Sequence, residues 1–297
     1  MTEFLQQLIN GLSLGAIYAL IALGYTMVYG VLRFINFAHS DVFMVGAFAG
    51  YYLSNYFPHE SLWAGPLILA GAMVICAALG IIIERLAYRP LRARSKLNVL
   101  ITAIGVSLLL ENAGQFIFGP NPKAFPLLFP FKMINLGGGL VMSSNQMTVF
   151  AVTILLLAAL QYIVLRTKLG TAMRAVSFNP VATSLVGINN DLVISFTFGL
   201  GSALAAAGGI LYSTSYQSID PLMGILPGLK AFVAAVLGGI GNIPGAALGG
   251  LLLGVIETFA NGSRWSTYTD AIAFALLILI LLFKPAGLLG KLQIEKV

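Results

Sequence analysis

Apolar residues in this sequence are grouped into long runs without charge. Five stretches lack any Asp, Glu, Lys or Arg: residues 4–32, 65–83, 147–165, 192–219 and 231–256. An α-helix needs roughly 20 apolar residues to cross a hydrocarbon layer of about 30 Å, and each run approaches or exceeds that length. The pattern predicts an all-α protein, a polytopic transmembrane helical bundle formed as a single domain by residues 1–297.

Shorter apolar stretches complete the predicted topology. We predict nine spans, and eight or ten also fit the pattern. The nine lie near residues 6–30, 40–57, 65–84, 98–118, 147–165, 192–213, 227–241, 244–262 and 267–283. Their number depends on the segment from Gly238 to Gly245, which interrupts an apolar stretch. Unwound backbone in a membrane is tolerated only against protein or a water-filled path, so a broken helix that lines a path competes with two full spans.

The loops that contain most Lys and Arg predict the orientation of the chain. Basic residues concentrate in residues 84–96, in 166–174 and after residue 283, and loops of this kind stay in the cytoplasm. The segment 119–146 is rich in Pro and Gly and then lies outside. The N-terminus also lies outside, and no removable signal peptide is expected there.

Composition excludes a soluble domain. Apolar residues make up 59% of the chain and charged residues 9%, whereas soluble domains carry about 45–50% and about 25%. The net charge of +6 is distributed over short loops, as the positive-inside rule expects, so nucleic acid is not a predicted partner. The single cysteine, Cys76, lies in an apolar run, which excludes a disulfide within the chain and a cysteine-based metal site.

The sequence lacks the motifs that would indicate catalysis or an ion channel. No phosphate-binding loop of the form G-x-x-x-x-G-K-[ST] occurs, so the chain is not expected to hydrolyse ATP. Its two histidines, His39 and His59, are far apart and do not form a metal-binding motif. No arginine repeat or carbonyl-filter sequence is present. We therefore predict no catalytic residues, no metal ligands and no cofactor in this chain.

Two interrupted segments weakly resemble each other. Residues 31–36 read Val-Leu-Arg-Phe-Ile-Asn, and residues 236–242 read Val-Leu-Gly-Gly-Ile-Gly-Asn. Paired interruptions in two halves of a transporter indicate a possible inverted repeat with the central path between them. We expect the two segments to lie on opposite sides of a pseudo-twofold axis, and to line a path or contact a partner subunit. The candidate pathway residues are Asn36, His39, Gly241, Asn242 and Gly245.

Carboxylates inside the predicted spans call for an explanation, because buried charge is costly in a membrane. Asp41 stands at a predicted helix start and is also explained by the positive end of that helix. Glu111 lies near the outer end of its span, where pairing, snorkelling and substrate contact all remain open. Glu257 has Lys230 and Arg264 as candidate partners. None of the three acids is predicted to bind substrate.

The loop 166–190 predicts a short amphipathic helix. Asn179 followed by Pro180 suits a helix start, and Gly187 suits a helix end. Such a helix either lies on the membrane surface or presents one face to a partner protein.

This loop resembles the coupling loop of LivH-type permease subunits, which belong to ATP-binding-cassette importers for branched-chain amino acids. The positions that the resemblance assigns to contact with an ATPase are Gly170, Arg174, Ala175, Asn179, Ala182 and Gly187. Other segments similar to the family begin at Asn10, Ile35, Glu84 and Leu237 and follow in the same order. The resemblance therefore covers nearly the whole chain.

The resemblance implies a non-catalytic permease that moves branched-chain or related small hydrophobic amino acids from the periplasm through the bacterial inner membrane to the cytoplasm. It implies a second homologous permease, two cytoplasmic ATPases that hold ATP and Mg, a periplasmic substrate-binding protein and surrounding membrane lipid. Amides, urea and other amino acids remain alternative substrates. A stand-alone secondary transporter would need its own ion-coupling carboxylates, and a membrane enzyme would need a polar cluster that is not visible.

Overall fold

The computed structural model describes residues 2–57, 63–92 and 94–290, which form a helical bundle. The α-helices in these ranges are α1 Thr2–Leu32, α2 His39–Ser54, α3 Ala64–Ile83, α4 Lys96–Phe118, α5 Ser144–Arg166, α6 Lys168–Phe178, α7 Pro180–Leu185, α8 Asn190–Tyr216, α9 Ile225–Gly238, α10 Ile243–Asn261 and α11 Thr269–Phe283. The helix α3 continues into a π-helical turn, Glu84–Tyr88, and a 3₁₀ turn, Arg89–Leu91. His59, named above, lies outside the described residues.

The predicted polytopic bundle is confirmed, and each of the nine predicted spans coincides with a helix. Seven of these helices, α1, α3, α4, α5, α8, α10 and α11, are long and apolar enough to cross a membrane, α11 together with the 3₁₀ turn Ser266–Tyr268 before it. The other two, α2 with 16 residues and α9 with 14, are shorter than a complete span. The short helices are the exception that the sequence pattern did not predict.

The centre of the bundle is formed by α1 and α8, which are largely buried, whereas α4, α5 and α11 are largely exposed. Glycines allow the central helices to approach closely. A Cβ atom at Gly15 would lie 2.7 Å from Leu251 Cα, and one at Gly11 would lie 2.7 Å from Val255 Cα, so α1 and α10 require glycine at these contacts. Small residues at such spacing permit close backbone contact between membrane helices.

The helices α1–α4 and α8–α11 form two structural repeats. The helix α1 packs along α10 just as α8 packs along α3, while α2 lies between α8 and α3 and α9 lies between α1 and α10. Equivalent helices run in opposite directions, because Ile21 of α1 lies beside Gly208 of α8 and Gly24 lies beside Gly201. The second repeat is therefore inverted relative to the first, with α5–α7 inserted between them.

The predicted pairing of residues 31–36 with 236–242 across the pseudo-twofold axis is wrong. In the observed repeat, the segment before α2 corresponds to the segment before α9, residues 217–224. The glycine-rich interruption is the turn between α9 and α10. It lies at the same end of the bundle as the end of α1, since a Cβ atom at Gly241 would be 3.8 Å from Gly30 Cα.

The two short helices begin inside the bundle rather than at its surface. After α1 ends at Leu32, the chain turns back, and His39 reaches the carbonyl of Ile21. Because Ile21 lies eleven positions before Leu32 in α1, this side-chain contact places the start of α2 inward from the end of α1. The first residues of α9 contact Ser40, so α9 begins beside the start of α2. Both short helices are thus preceded by irregular segments that re-enter the bundle.

The two ends of the bundle differ in charge and in structure. One end, called here the basic end, contains Arg85, Arg89, Arg92 and Arg174. The opposite end contains a hairpin of β2, Met133–Gly137, and β3, Leu140–Ser143, and a short pairing of β1, Lys123–Ala124, with β4, Ser218–Ile219. Gln6 near the N-terminus bonds with the backbone of Val141 in this hairpin. The N-terminus and the segment 119–146 therefore share one end, opposite the basic loops.

Candidate functional site

The loop at the basic end contains the two short helices α6 and α7. The predicted start of a helix at Asn179 is confirmed: its side-chain oxygen accepts hydrogen bonds from the backbone of Val181 and Ala182, each at 3.0 Å, and Pro180 is the first helical residue. The predicted end at Gly187 is also confirmed. Gly187 has a φ of +85°, a left-handed conformation that favours glycine.

This loop is attached firmly to the transmembrane helices. Gly170 packs on the carbonyls of Ile163 and Val164, so a side chain there would separate α6 from the end of α5. Ser177 donates to the carbonyl of Gly30 in α1 at 2.5 Å. Asn190, at the start of α8, donates to the carbonyl of Pro180 at 2.7 Å. Hydrogen bonds therefore connect α6 to α1 and α7 to α8.

An exposed apolar surface is formed by α7 and the residues that flank it. Phe178 and Leu185 are 88% and 83% exposed, and Val181 and Val186 are also largely exposed. These four residues are called here the α7 knob. Exposed apolar residues grouped in this way indicate a surface for contact with a protein or with the membrane. The sequence predicted the neighbouring caps but not the knob, although the i, i+4 spacing of Val181 and Leu185 on α7 was visible; Phe178 is the last residue of α6 and joins them only in the folded chain.

The other predicted coupling residues surround the knob. Ala182 is exposed on α7 between the knob residues, and Ala175 is partly buried on α6. Arg174 is exposed, and its guanidinium donates to Thr171 Oγ1 at 3.3 Å. The structure therefore brings the coupling candidates together on α6 and α7. Gly170, Asn179 and Gly187 shape this region, whereas Ala182 and Arg174 lie on its surface.

A charged network joins the end of α3 to the start of α8. Glu84, which is completely buried, pairs with Arg92 and accepts a hydrogen bond of 2.5 Å from Ser195. Asp191 pairs with Arg92 at 2.8 Å and with Arg89. Burial lowers the pKa of Arg92, while the negative charge of Asp191 raises it. This network holds the π-helical turn against the start of α8, the helix that follows the coupling loop.

Of the pathway candidates, Asn36 and His39 lie inside the bundle. Asn36 is buried and accepts a hydrogen bond of 2.5 Å from the Tyr88 hydroxyl. His39 is buried beside the Tyr25 ring, and its Nε2 lies 3.2 Å from the carbonyl of Ile21. Because a carbonyl only accepts, this Nε2 carries the hydrogen. The two residues hold the start of α2 against α1 and the π-helical turn.

The remaining pathway candidates lie at the basic end, Gly241 and Asn242 in the turn between α9 and α10 and Gly245 in the first turn of α10. Asn242 caps α10 by accepting from the backbone of Gly245 at 3.2 Å, and it donates to the carbonyl of Leu289 at 2.6 Å. Backbone amides of Leu288 and Leu289 donate to the carbonyls that end α9. Gly241 adopts a φ of +91°. Backbone groups freed by this interruption are thus paired within the protein, and the interruption separates two helices.

A buried ion cluster lies on the second repeat. Lys230 of α9 is 2.6 Å from a carboxylate oxygen of Glu257 in α10 and 2.6 Å from one of Asp270 in α11. Pairing of Glu257 with Lys230, one of two options in the sequence, is therefore observed. Asp270 was not predicted, because 40 residues separate it from Lys230 and no local pattern connects them. The cluster joins three helices through charges that are costly to bury unpaired.

The sequence of the chain matches those of known transport proteins. A family model described as branched-chain amino acid transport system, permease component, matches residues 7–281. The chain is 45% identical over 302 residues to the high-affinity branched-chain amino acid transport system permease protein BraD of Pseudomonas aeruginosa, covering 99% of this chain and 98% of that one. It is 43% identical over 303 residues to the permease protein LivH of Escherichia coli, with the same coverage. A probable LivH of Methanocaldococcus jannaschii is 30% identical over 292 residues, covering 91% of this chain and 88% of that one. Since the match extends from α1 to α11 and includes both repeats and the α6–α7 loop, the chain belongs to the family of branched-chain amino acid transport system permease components.

Proposed function

We propose that this permease moves branched-chain amino acids inward through the bacterial inner membrane, driven by two ATPase subunits, one of which docks on the α7 knob of this chain. The observation that carries this proposal is an exposed apolar surface that is hydrogen-bonded through α6 and α7 to both α1 and α8. The basic end is then cytoplasmic, as the positive-inside rule predicts. ATP and Mg are held by the ATPases, and this chain contributes neither catalytic residues nor a cofactor.

The α7 knob suits the transmission of force. When a partner covers exposed apolar residues, the free energy of the complex falls by about 25 cal/mol for each Å² of apolar surface removed from water. Asn179 and Gly187 fix the ends of α7, so a displacement of the knob moves the helix as a unit. Because Asn190 connects α7 to α8 and Ser177 connects α6 to α1, the displacement reaches the two central helices of the inverted repeats.

The short helix α9 provides a surface for the second permease and for the path between the two subunits. Leu222 precedes α9 and is exposed, and Ile225, Leu226 and Leu229 are exposed on the first two turns of the helix. The preceding segment 217–224 is irregular and re-enters the bundle, and such backbone is tolerated in a membrane only against protein or a water-filled path. Apolar side chains here also suit the side chains of leucine, isoleucine and valine. A periplasmic binding protein supplies the substrate from the opposite end.

Transport by the assembled importer in proteoliposomes tests the proposal. Leu185→Asp, which places a charge in the α7 knob, is expected to abolish ATP-driven uptake of radiolabelled leucine and to weaken copurification of the ATPases. Ser184→Asp is the matched control, because Ser184 is exposed on the same helix outside the knob. Normal coupled uptake by the Leu185→Asp variant would exclude the knob as the docking surface. Competition by excess valine, but not by urea or a simple amide, is expected for the proposed substrate class.

A further inference from the structure

A cavity of about 680 Å³ opens at the basic end between four parts of the chain. Its walls come from the end of α1, the end of α5 with the adjoining α6, the turn between α9 and α10, and residues 285–290. Its polar lining includes Arg33, Arg174, Tyr29 and Gln161. Its lining contains none of the α7 knob residues and none of the exposed apolar residues of α9, although the sequence suggested Arg174 as a coupling residue and Asn242 as a pathway residue.

Two positively charged side chains line this single cavity without a carboxylate partner among the described residues. The salt bridges found in the described ranges involve Arg89, Arg92 and Lys230. Arg33 donates to the carbonyl of Ser177 at 3.3 Å, and Arg174 donates to a hydroxyl at the same distance. A guanidinium group has five N–H donors. Each arginine therefore keeps donors and an uncompensated charge for an anion in the cavity.

The position and the apolar part of the wall indicate an amphiphilic ligand. The cavity lies where the apolar helices α1 and α5 end, so it adjoins the boundary between lipid and water. Val164, Leu165 and Ile243 contribute apolar surface beside the arginines. Leu165 is 48% exposed, which continues this surface onto the outer face of α5. A small soluble anion would use the charge and leave this apolar wall uncovered.

We propose that the cavity binds the headgroup phosphate of an anionic phospholipid, with Arg33 and Arg174 as the charged contacts. The acyl chains then follow the exposed apolar face of α5. Basic pockets between transmembrane helices at the cytoplasmic side are suited to acidic lipid headgroups. A lipid in this place contacts α1, α6 and the α9–α10 turn together. It therefore stabilises the arrangement of the coupling loop against both repeats.

Native mass spectrometry of the purified full-length chain, titrated with phosphatidylglycerol in detergent, tests this site. We expect one lipid adduct to form at lower concentration than all others, and phosphatidylcholine to lack it. Each arginine is expected to contribute roughly fivefold to the affinity, so the double variant Arg33→Gln, Arg174→Gln should bind about 25-fold more weakly. Arg85→Gln is the matched control, because Arg85 is exposed at the same end and does not line the cavity.

A single variant keeps the test informative if the double variant misfolds. Arg174 is exposed, so Arg174→Gln is expected to fold normally and to lose about fivefold in affinity. Equal phosphatidylglycerol binding by the wild-type chain and both variants would overturn the proposal. Displacement of the adduct by millimolar inorganic phosphate would overturn the lipid as the ligand in favour of a free anion. Because the readout is lipid binding, failure here leaves the proposed transport function unaffected.

Discussion

Ser40 in the first turn of α2 packs directly against Gly228 in the first turn of α9, so the two short helices of the inverted repeats begin side by side. A Cβ atom at Gly228 would lie 3.3 Å from Ser40 Cα and still closer to Ser40 Cβ. Gly224, one turn earlier, faces the carbonyl of Ser40 instead. One residue thus contacts α9 through its side chain and through its backbone.

These contacts predict a selective rescue. Gly228→Ala is expected to destabilise the protein by about 1–3 kcal/mol, because the added methyl group overlaps the Ser40 side chain. Ser40→Gly removes that obstacle and is expected to restore most of the lost stability in the double variant. The measurement is thermal unfolding of the purified chain in detergent, with leucine uptake by the assembled importer as a second readout.

Two controls follow from the same geometry. Ser40→Ala retains Cβ and should not rescue Gly228→Ala. Ser40→Gly should not rescue Gly224→Ala either, because the carbonyl of residue 40 remains in place. Rescue of Gly224→Ala to the same extent would show that α2 and α9 adjust generally and that the contact with Gly228 is not specific.

The buried ion cluster predicts a strong effect of removing its cation. Lys230→Met leaves the buried carboxylate of Glu257 without its partner, and breaking a buried pair in this way costs about 3–5 kcal/mol. The double variant Lys230→Met, Glu257→Gln removes both charges and is expected to recover a substantial part of that loss. Unfolding of the purified variants by a denaturing detergent measures both effects.

Asp270 provides the internal comparison for this cluster. Its side chain is about half exposed, whereas Glu257 is buried, so Asp270→Asn is expected to be much milder than Glu257→Gln alone. Equal losses for the two substitutions would mean that the lipid or partner environment buries Asp270 as deeply as Glu257. A single variant Lys230→Met as stable as the wild type would contradict a structural role for the cluster.

The cap of α7 predicts a graded loss of coupling. Asn179→Ala removes the side-chain acceptor for two backbone amides and destabilises the helix start by about 1 kcal/mol. Leucine uptake at fixed ATP is therefore expected to fall by up to about fivefold. Asn179→Ser keeps an acceptor oxygen and should retain most of the uptake.

Asn189 is the matched control for this cap. Its side chain accepts from the backbone of Leu192 at the start of α8, but α8 has 27 residues and is held mainly by packing. Asn189→Ala is therefore expected to change uptake less than Asn179→Ala. The reverse order would mean that the start of α8, rather than α7, limits coupling.

Local signals in the sequence were sufficient for some parts of this structure. Asn179 and Gly187 determine the ends of α7 through their own side chain and backbone, so neighbouring residues alone predict the helix. Charge-free runs likewise predict the spans, because each must meet the same lipid thickness. The basic loops lie at one end because Lys and Arg in short loops keep those loops on one side of the membrane.

Other features depend on contacts between distant residues. The start of α2 inside the bundle depends on His39 and Ile21, 18 residues apart, and the cluster of Lys230 with Asp270 depends on the packing of α9 against α11. The inverted repeat is recognised from the order and direction of the packed helices and not from similar residues in the two halves. The similarity between residues 31–36 and 236–242 therefore pointed to the wrong pair of segments.

Thiol labelling distinguishes the two groups of pathway candidates. Asn242 lines the cavity at the basic end, so a cysteine at this position is expected to react with a small water-soluble thiol reagent added from the cytoplasmic side. Asn36 is buried and bonded to Tyr88, so Asn36→Cys should react slowly in this conformation. If the start of α2 borders the translocation path, binding of ATP or its hydrolysis by the assembled importer must expose position 36 and raise its labelling rate. Both cysteine variants are made in a chain in which the buried Cys76 is replaced by Ala, and that chain without a new cysteine gives the background labelling. Protection of position 36 in every nucleotide state, together with normal transport, would remove α2 from the path and leave it as a structural support for α9.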